Sequence, residues 1–251
     1  MNGQDKDVDL AQVYADLWRS ARAAFLGNAG QIDPLLQRGA PDARRGLTVI
    51  FRPQPVVAAQ VAAWLAQVAT DAPAQYVYTS EQLHVTVLSL FTATPDFAPY
   101  FARLPRYLAA LDVALAAIPP FAVALRGVTA SPSTVMVQGF PCDNTLEHVR
   151  TALRTAIAAV GLGSDLDRRY RLVTAHLSAL RLRAPLTDPA CFVAHLERAR
   201  NLDFGVTLVD ELLLVANDWY MTPGVVEVLR RYPLTSTQPV SAITRRNALT
   251  A

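Results

Sequence analysis

An α+β architecture is what this sequence predicts: two sheet-bearing lobes, their antiparallel or mixed sheets facing a central cleft, with helices outside. Three observations point to it. Segments with strand and helix periodicity alternate in two comparable halves. Each half carries one copy of the same short pattern on an apolar strand, His84-Val85-Thr86-Val87 in the first and His176-Leu177-Ser178-Ala179 in the second, 92 residues apart. At 251 residues the chain is long enough to bury a substantial core, as one large domain or two intimately packed lobes.

From the amino terminus, Leu10, Val13, Tyr14, Leu17, Trp18, Ala21 and Phe25 recur at three- and four-residue intervals, which predicts an amphipathic helix packed on the main domain. A polar connection with Gly and Pro, Gly27 to Gly46, follows. Leu47 to Phe51 reads as a first strand. Pro53 and Pro55 open a helix with Val57, Val61, Trp64, Leu65 and Val68 on one face. The first histidine strand is predicted over Leu83 to Leu90, then a helix from about Pro99 to Ile118, ended by Pro119-Pro120.

The second half opens with strands Phe121 to Val128 and Thr134 to Phe140, joined by a turn at Ser131-Pro132-Ser133. A helix carrying Leu146, Val149, Leu153, Ile157 and Val160 comes next, ended by Gly161. The second histidine strand is predicted over about Leu172 to Leu182. Asp188-Pro189 starts a short helix, and Val206 to Val215 and Val225 to Arg231 read as two further strands. The expected organisation is therefore an amino-terminal helix and linker over 1–45, a two-lobed domain over 46–234 and a flexible tail over 235–251. The lobes divide at roughly 46–118 and 119–234, with strands free to exchange between them.

Composition narrows the function classes. Hydrophobic content is 52% and mean hydropathy +0.21, but much of this is alanine, and the longest apolar run, Val113 to Leu125, is broken by two prolines and falls short of a membrane span. The first residues, MNGQDKDVDLAQ, are acidic and polar, unlike a secretory signal, so a cytoplasmic protein is expected. Cys142 and Cys191 do not make a disulfide framework and are expected to be ordinary thiols. Metal-ligand spacings such as Cys-x-x-Cys or His-Glu-x-x-His do not occur, so chemistry without a metal or other cofactor is expected. A net charge of +2 is too small for wrapping long nucleic acid. Lys6 is the only lysine; an arginine-dominated positive charge suits phosphate but equally reflects codon bias.

Side chains two apart on a strand share a face, so His84 lies beside Thr86 and His176 beside Ser178, while Val85, Val87, Leu177 and Ala179 point into a core. One such pair would read as a structural histidine. Two pairs among four histidines suggest a two-armed active site. Phosphodiester chemistry needs a base beside the nucleophile, an acid at the leaving oxygen and donors for the non-bridging oxygens. Two imidazoles, with ordinary pKa values near 6.5, and two hydroxyls supply all of these.

With these two patterns on strands, and with Leu90-Phe91 after the first and Arg181 five positions after His176, the sequence resembles the 2H phosphoesterase superfamily, which includes bacterial 2′-5′ RNA ligase-like proteins and cyclic nucleotide phosphodiesterases. The segment Val209 to Leu214, and then Val225 to Leu234, is similar to that family's last two strands. The resemblance spans about residues 46–234. It implies a two-lobed fold and a phosphoesterase acting without a metal on 2′,3′-cyclic phosphates or 2′-5′ bonds. His84 and His176 would be the acid and the base, without the resemblance telling which is which, and Thr86 and Ser178 phosphate donors. Ser178 departs from the commoner threonine, and Asn217 to Thr222 stands where many relatives have a short turn containing Ser and Gly.

Arg181 lies an odd number of residues from His176, so a regular strand would turn it away from the cleft and a bulge would turn it in. Tyr76, Tyr78 and Tyr220 are candidates to stack on a base, Tyr220 at the substrate rim. His148 and His195 are expected on the surface. The implied partner is a nucleotide or short RNA, with no membrane and with no feature that fixes an oligomeric state. The alternatives are a nucleotide- or RNA-binding module with little turnover, and a serine hydrolase using Ser178, which lacks a Gly-x-Ser-x-Gly elbow.

Overall fold

The structure is a computed structural model that describes residues 9–39, 41–168 and 171–235. The tail expected to be flexible lies, after Thr235, outside the described residues, as do the first eight.

Helix α1 (Leu10–Leu26) is N-capped by the Asp9 carboxylate, which accepts from the amides of Ala11 and Gln12. A short α2 (Pro34–Arg38), unforeseen within the linker, has the same kind of start: Asp33 caps it, Pro34 occupies its first turn and Gly39 closes it in the left-handed region at φ 64°. Strand β1 (Arg45–Phe51), α3 (Pro55–Asp71), the two-residue β2 (Tyr76–Val77) and β3 (Val85–Thr94) follow. The helix expected over Pro99 to Ile118 is two pieces, α4 (Ala98–Phe101) and α5 (Leu104–Leu115). Pro105 has no amide hydrogen and its ring would strike the carbonyl of residue 101, so a new helix starts there instead.

Then come β4 (Phe121–Ser131), β5 (Thr134–Pro141), α6 (Thr145–Ala159), one 3-10 turn at Gly163–Asp165, β6 (Leu177–Arg181) and α7 (Pro189–Arg198). The strand expected over Val206 to Val215 is divided at Asp210 into β7 (Asp203–Val209) and β8 (Glu211–Asn217), and β9 (Glu227–Pro233) ends the fold. The division has a topological cause, since β7 pairs with β4 whereas β8 crosses over to pair with β1.

All pairings are antiparallel, and the main path runs β7-β4-β5-β6-β3-β1-β8-β9, with β2 also on β6. The two sheets expected from the sequence are thus two four-stranded arms of one sheet. They meet between β6 and β3 at the single pair Val85↔Leu177, and the short β2 adds to β6 beside it. Strands do exchange, because β8 and β9 complete the arm built by β1 and β3. The helices cross over too: α3 packs on β6 and β7, and α6 packs on β3. A core including Leu47, Val49, Val85, Val87, Leu111, Val123, Leu153, Leu177 and Ala179, all fully buried, runs continuously beneath both arms.

Helix α1 packs on β4 and α7, as its apolar face required. Tyr14 is its anchor. Its buried hydroxyl donates to the Gly139 carbonyl (3.0 Å) and accepts from the amides of Gly139 (3.3 Å) and Ala175 (3.2 Å), while Thr129 donates to the Tyr14 carbonyl. Burial holds the phenol pKa up at about 12, so it remains a neutral donor. The close approach of β5 to Ala175 demands glycine at 139, because a Cβ there would sit 2.0 Å from the Ala175 carbonyl oxygen.

Candidate active site

The pair Val85↔Leu177 organises the site. Both side chains are fully buried, so the residues flanking them on each strand, His84 and Thr86 on one side and His176 and Ser178 on the other, project together from the opposite face. All four line one cavity of about 220 Å³ whose walls also include Thr48, Tyr78, Arg181, Asn217 and Trp219. His176, Ser178, Arg181 and Trp219 also line a second cavity, of about 450 Å³.

Neither histidine is supported by regular ladder pairing on its own residue. His84 precedes β3, and its Nδ1 lies 2.7 Å from the Gln82 carbonyl oxygen. A carbonyl only accepts, so Nδ1 carries the hydrogen and Nε2 keeps a lone pair for the cavity. The Nδ1 of His176 instead lies 2.7 Å from the Thr174 hydroxyl, a partner that can donate or accept. Burial pushes both imidazoles down to about 4; Arg52 and Arg181 add to this at His84, and His84, Arg150 and Arg181 add to it at His176.

Arg150 on α6 is 1% exposed and has its whole guanidinium against backbone. It donates to Val87 O (3.0 Å) and Thr86 O (3.2 Å) on β3, and to Val173 O (3.0 Å) and Thr174 O (2.7 Å) ahead of β6. Those last bonds explain why the second histidine strand starts at Leu177 rather than near Leu172: residues 173 and 174 give their carbonyls to Arg150 instead of a ladder. The desolvated guanidinium, with no carboxylate among the described residues in hydrogen-bond contact, has its pKa lowered to about 10 and still remains charged at neutral pH.

Arg181 does face the cavity, and a bulge turns it. Thr134 pairs with Arg181 and Val135 with Leu180, but Met136 pairs with Ser178, so Ala179 is the extra residue. The guanidinium donates to the Tyr78 hydroxyl (2.7 Å) and the Thr134 hydroxyl (3.2 Å) and lies over the Trp219 ring at 5.7 Å.

Two expectations are corrected. Tyr220 is not a rim residue: it is 4% exposed, and its hydroxyl donates to Asp33 at 2.8 Å, which together with burial raises its pKa. Trp219 lines the cavity in its place. The turn is set by Asp218, whose Oδ1 accepts from the amides of Tyr220 (3.2 Å) and Thr222 (2.9 Å), with Met221 left-handed at φ 54°. His195 is not a free surface side chain, since its Nδ1 meets the Asp71 carboxylate at 2.6 Å across α3 and α7. His148 is exposed as expected, Tyr78 lies beneath Arg181, and Tyr76 packs edge-on against Tyr78.

Arg150, Trp219 and Asn217 are site residues that strand-pattern reasoning passed over. Asn217 donates through Nδ2 to the Asp218 carbonyl, and its buried Oδ1 has no hydrogen-bond partner among the described residues, which leaves an acceptor beside the cavity. Asn217 and Trp219 carried a sequence signal, both lying in a segment that departs from the usual turn, whereas Arg150 carried none. Among the described residues, no three His, Cys, Asp or Glu side chains come together to hold a metal ion, and no helix is long and apolar enough to cross a membrane.

A curled antiparallel sheet that brings two histidine-hydroxyl pairs from its two arms into one cavity defines the 2H phosphoesterase class. The chain belongs to the 2′-5′ RNA ligase superfamily, whose family model matches residues 53–218. Among solved structures it is similar to TT0787 of Thermus thermophilus (21% identity, TM-score 0.57, covering 78% of this chain and 100% of that one). It is also similar to LigT of E. coli complexed with 3′-AMP (16% identity, TM-score 0.55, 77% and 99%) and to a conserved protein of unknown function from Agrobacterium tumefaciens (14%, 0.56, 88% and 98%). At these identities the likeness is one of fold. No curated protein matches the chain.

Proposed function

We propose that the chain is a phosphodiesterase that opens 2′,3′-cyclic phosphates or cleaves 2′-5′ bonds in RNA ends or small nucleotides by histidine acid-base catalysis. The observation that carries this reading is the set of four side chains, His84, Thr86, His176 and Ser178, around one bridged pair at the floor of one cavity. For a 2′-5′ bond His84, with Nδ1 committed to Gln82, is the base: its Nε2 takes a proton from the neighbouring 3′-hydroxyl while the new P–O bond of a 2′,3′-cyclic phosphate forms. His176 is the acid: its proton passes to the leaving 5′-oxygen as the old P–O bond breaks. When the cyclic phosphate is opened the roles exchange, His176 taking a proton from the attacking water and His84 protonating the departing ring oxygen. Thr86, Ser178 and Arg181 are the donors for the non-bridging oxygens.

Burial keeps both imidazoles neutral in the free protein at neutral pH, so an acid must be created on binding. The phosphodiester anion does this, because a negative charge beside a buried imidazole favours its protonated form. The crystallised LigT proteins held ATP or 3′-AMP, which supports a nucleotide as the ligand class.

The test is turnover of nucleoside 2′,3′-cyclic phosphates and a 2′-5′-linked dinucleotide, with chelator present, by wild type, His84→Ala and His176→Ala. Loss of about 10²–10⁴-fold in each variant is expected for a missing acid or base. Turnover that survives both substitutions sinks the mechanism. Tight binding of nucleotides without turnover favours a binding module instead.

A further inference from the structure

The larger of the two cavities is not built by the family region alone. Its lining includes Val13 and Leu17 of α1, one turn apart on the helix face, and Gln31 in the linker, all before the matched span of 53–218. Its remaining wall includes Met136 of β5, Thr134 and Val173. At about 450 Å³ it is within the usual range for small-molecule sites, roughly 300–1,000 Å³. Among the described residues that line it, none is a carboxylate.

From this placement, and building on the phosphodiesterase reading above, we propose that the α1-walled chamber holds the nucleoside on the leaving-group side of the scissile phosphate. The preferred substrate class is then a diester with organic groups on both sides of phosphorus rather than a mononucleotide cyclic phosphate. Four residues support that register. His176, Ser178, Arg181 and Trp219 belong to both cavities, so a phosphate held by them borders both chambers, and the α1-walled chamber is lined by His176 and not by His84. An oxygen leaving into it would take its proton from His176. Apolar walls from Val13, Leu17, Met136 and Val173 suit the faces of a base, and the Thr134 hydroxyl and Gln31 amide suit its polar edge. A cyclic mononucleotide, opened by water activated at His176 with the ring oxygen protonated by His84, leaves this chamber to solvent.

Leu17 is half-buried and lines open space, so Leu17→Trp fills the chamber without entering the core or the phosphate site. Binding of a 2′-5′ dinucleoside monophosphate and of a 3′-mononucleotide is measured by calorimetry on wild type, Leu17→Trp and Leu17→Ala, alongside turnover of the dinucleotide and of a 2′,3′-cyclic mononucleotide. The expected result is about tenfold or greater preference for the dinucleotide in wild type. The preference is lost in Leu17→Trp and kept in Leu17→Ala, and cyclic-phosphate turnover and thermal midpoint are unchanged in both. Equal affinity for the two ligands in wild type, or an undiminished preference in Leu17→Trp, overturns the chamber assignment even if cyclic phosphates are hydrolysed. A preference removed by Leu17→Trp upholds the chamber even if neither substrate turns over, the outcome in which only the phosphodiesterase reading fails.

Discussion

Replacing Arg150 by leucine should damage both stability and turnover, although the side chain never reaches the cavity floor. Its guanidinium makes four hydrogen bonds of 2.7–3.2 Å to carbonyls on the two histidine strands. Hydrogen bonds to a charged group contribute about 1.5–3 kcal/mol each, so the gross loss is roughly 6–12 kcal/mol. Against this stands the relief of no longer burying a cation, several kcal/mol, and some re-bonding of the freed carbonyls to water. The net cost should be about 3–5 kcal/mol, as for a buried pair that loses one partner. With a denaturant slope near 3 kcal/mol/M, the urea midpoint should fall by about 1–2 M.

Under conditions where the variant is still folded, turnover should fall about 10²-fold, because the stapled carbonyls include that of Thr86 and that of Thr174, two residues before His176. Displacing a catalytic group by about 1 Å costs that much. Arg150→Lys keeps the charge but cannot span both strands, and should lie between. Equilibrium urea unfolding followed by fluorescence, with single-turnover rates at low urea, reads both effects. A leucine variant within about 1 kcal/mol of wild type and fully active would show that the strands hold their spacing without the staple.

Two further outcomes follow. The sign of the pH dependence is set by both imidazoles lying at about 4 instead of 6.5: the form with one neutral and one protonated histidine is scarce at pH 7 and grows as pH falls. The kcat/KM profile should therefore rise from pH 7 toward about 5, while the kcat optimum lies higher because bound phosphate raises the acid's pKa; a kcat/KM flat or falling over that interval contradicts this. Tyr14→Phe leaves one carbonyl and two amides at Gly139 and Ala175 without their shared hydroxyl, at a cost of about 1–3 kcal/mol in urea unfolding, and no measurable loss would mean that α1 is held by its apolar face alone.

Strand period made the histidine face legible, because Val85 and Leu177 alternate with the reactive side chains and are apolar. Helix periodicity gave α1, α3 and α6, with proline opening α3 and glycine closing α6, and Asp188-Pro189 gave α7, for similarly local reasons. The long-range facts were not written locally. Nothing around Asp210 says that one apolar run serves two different edges of the sheet, and nothing around Arg150 distinguishes a buried staple from an ordinary helix arginine, since both depend on residues more than sixty positions away. The bulge at Ala179 was conceivable from the position of Arg181 but is decided by pairing with β5. Tyr220 and Trp219 changed places because the turn made by Asp218 rotates the chain, and that is carried by one carboxylate rather than by a periodicity.

The crossing of α3 and α6 between the arms bears on how this chain can be divided. A cut between residues 118 and 119 gives two pieces of comparable length, each with its own histidine, yet each would keep a helix whose apolar stripe belongs on the other piece's strands. The repeated pattern thus does not mark two exchangeable modules. Hydrogen exchange should find the slowest amides of β3 and β6 opening together, in one cooperative event, with the two histidines parting only when the entire molecule does.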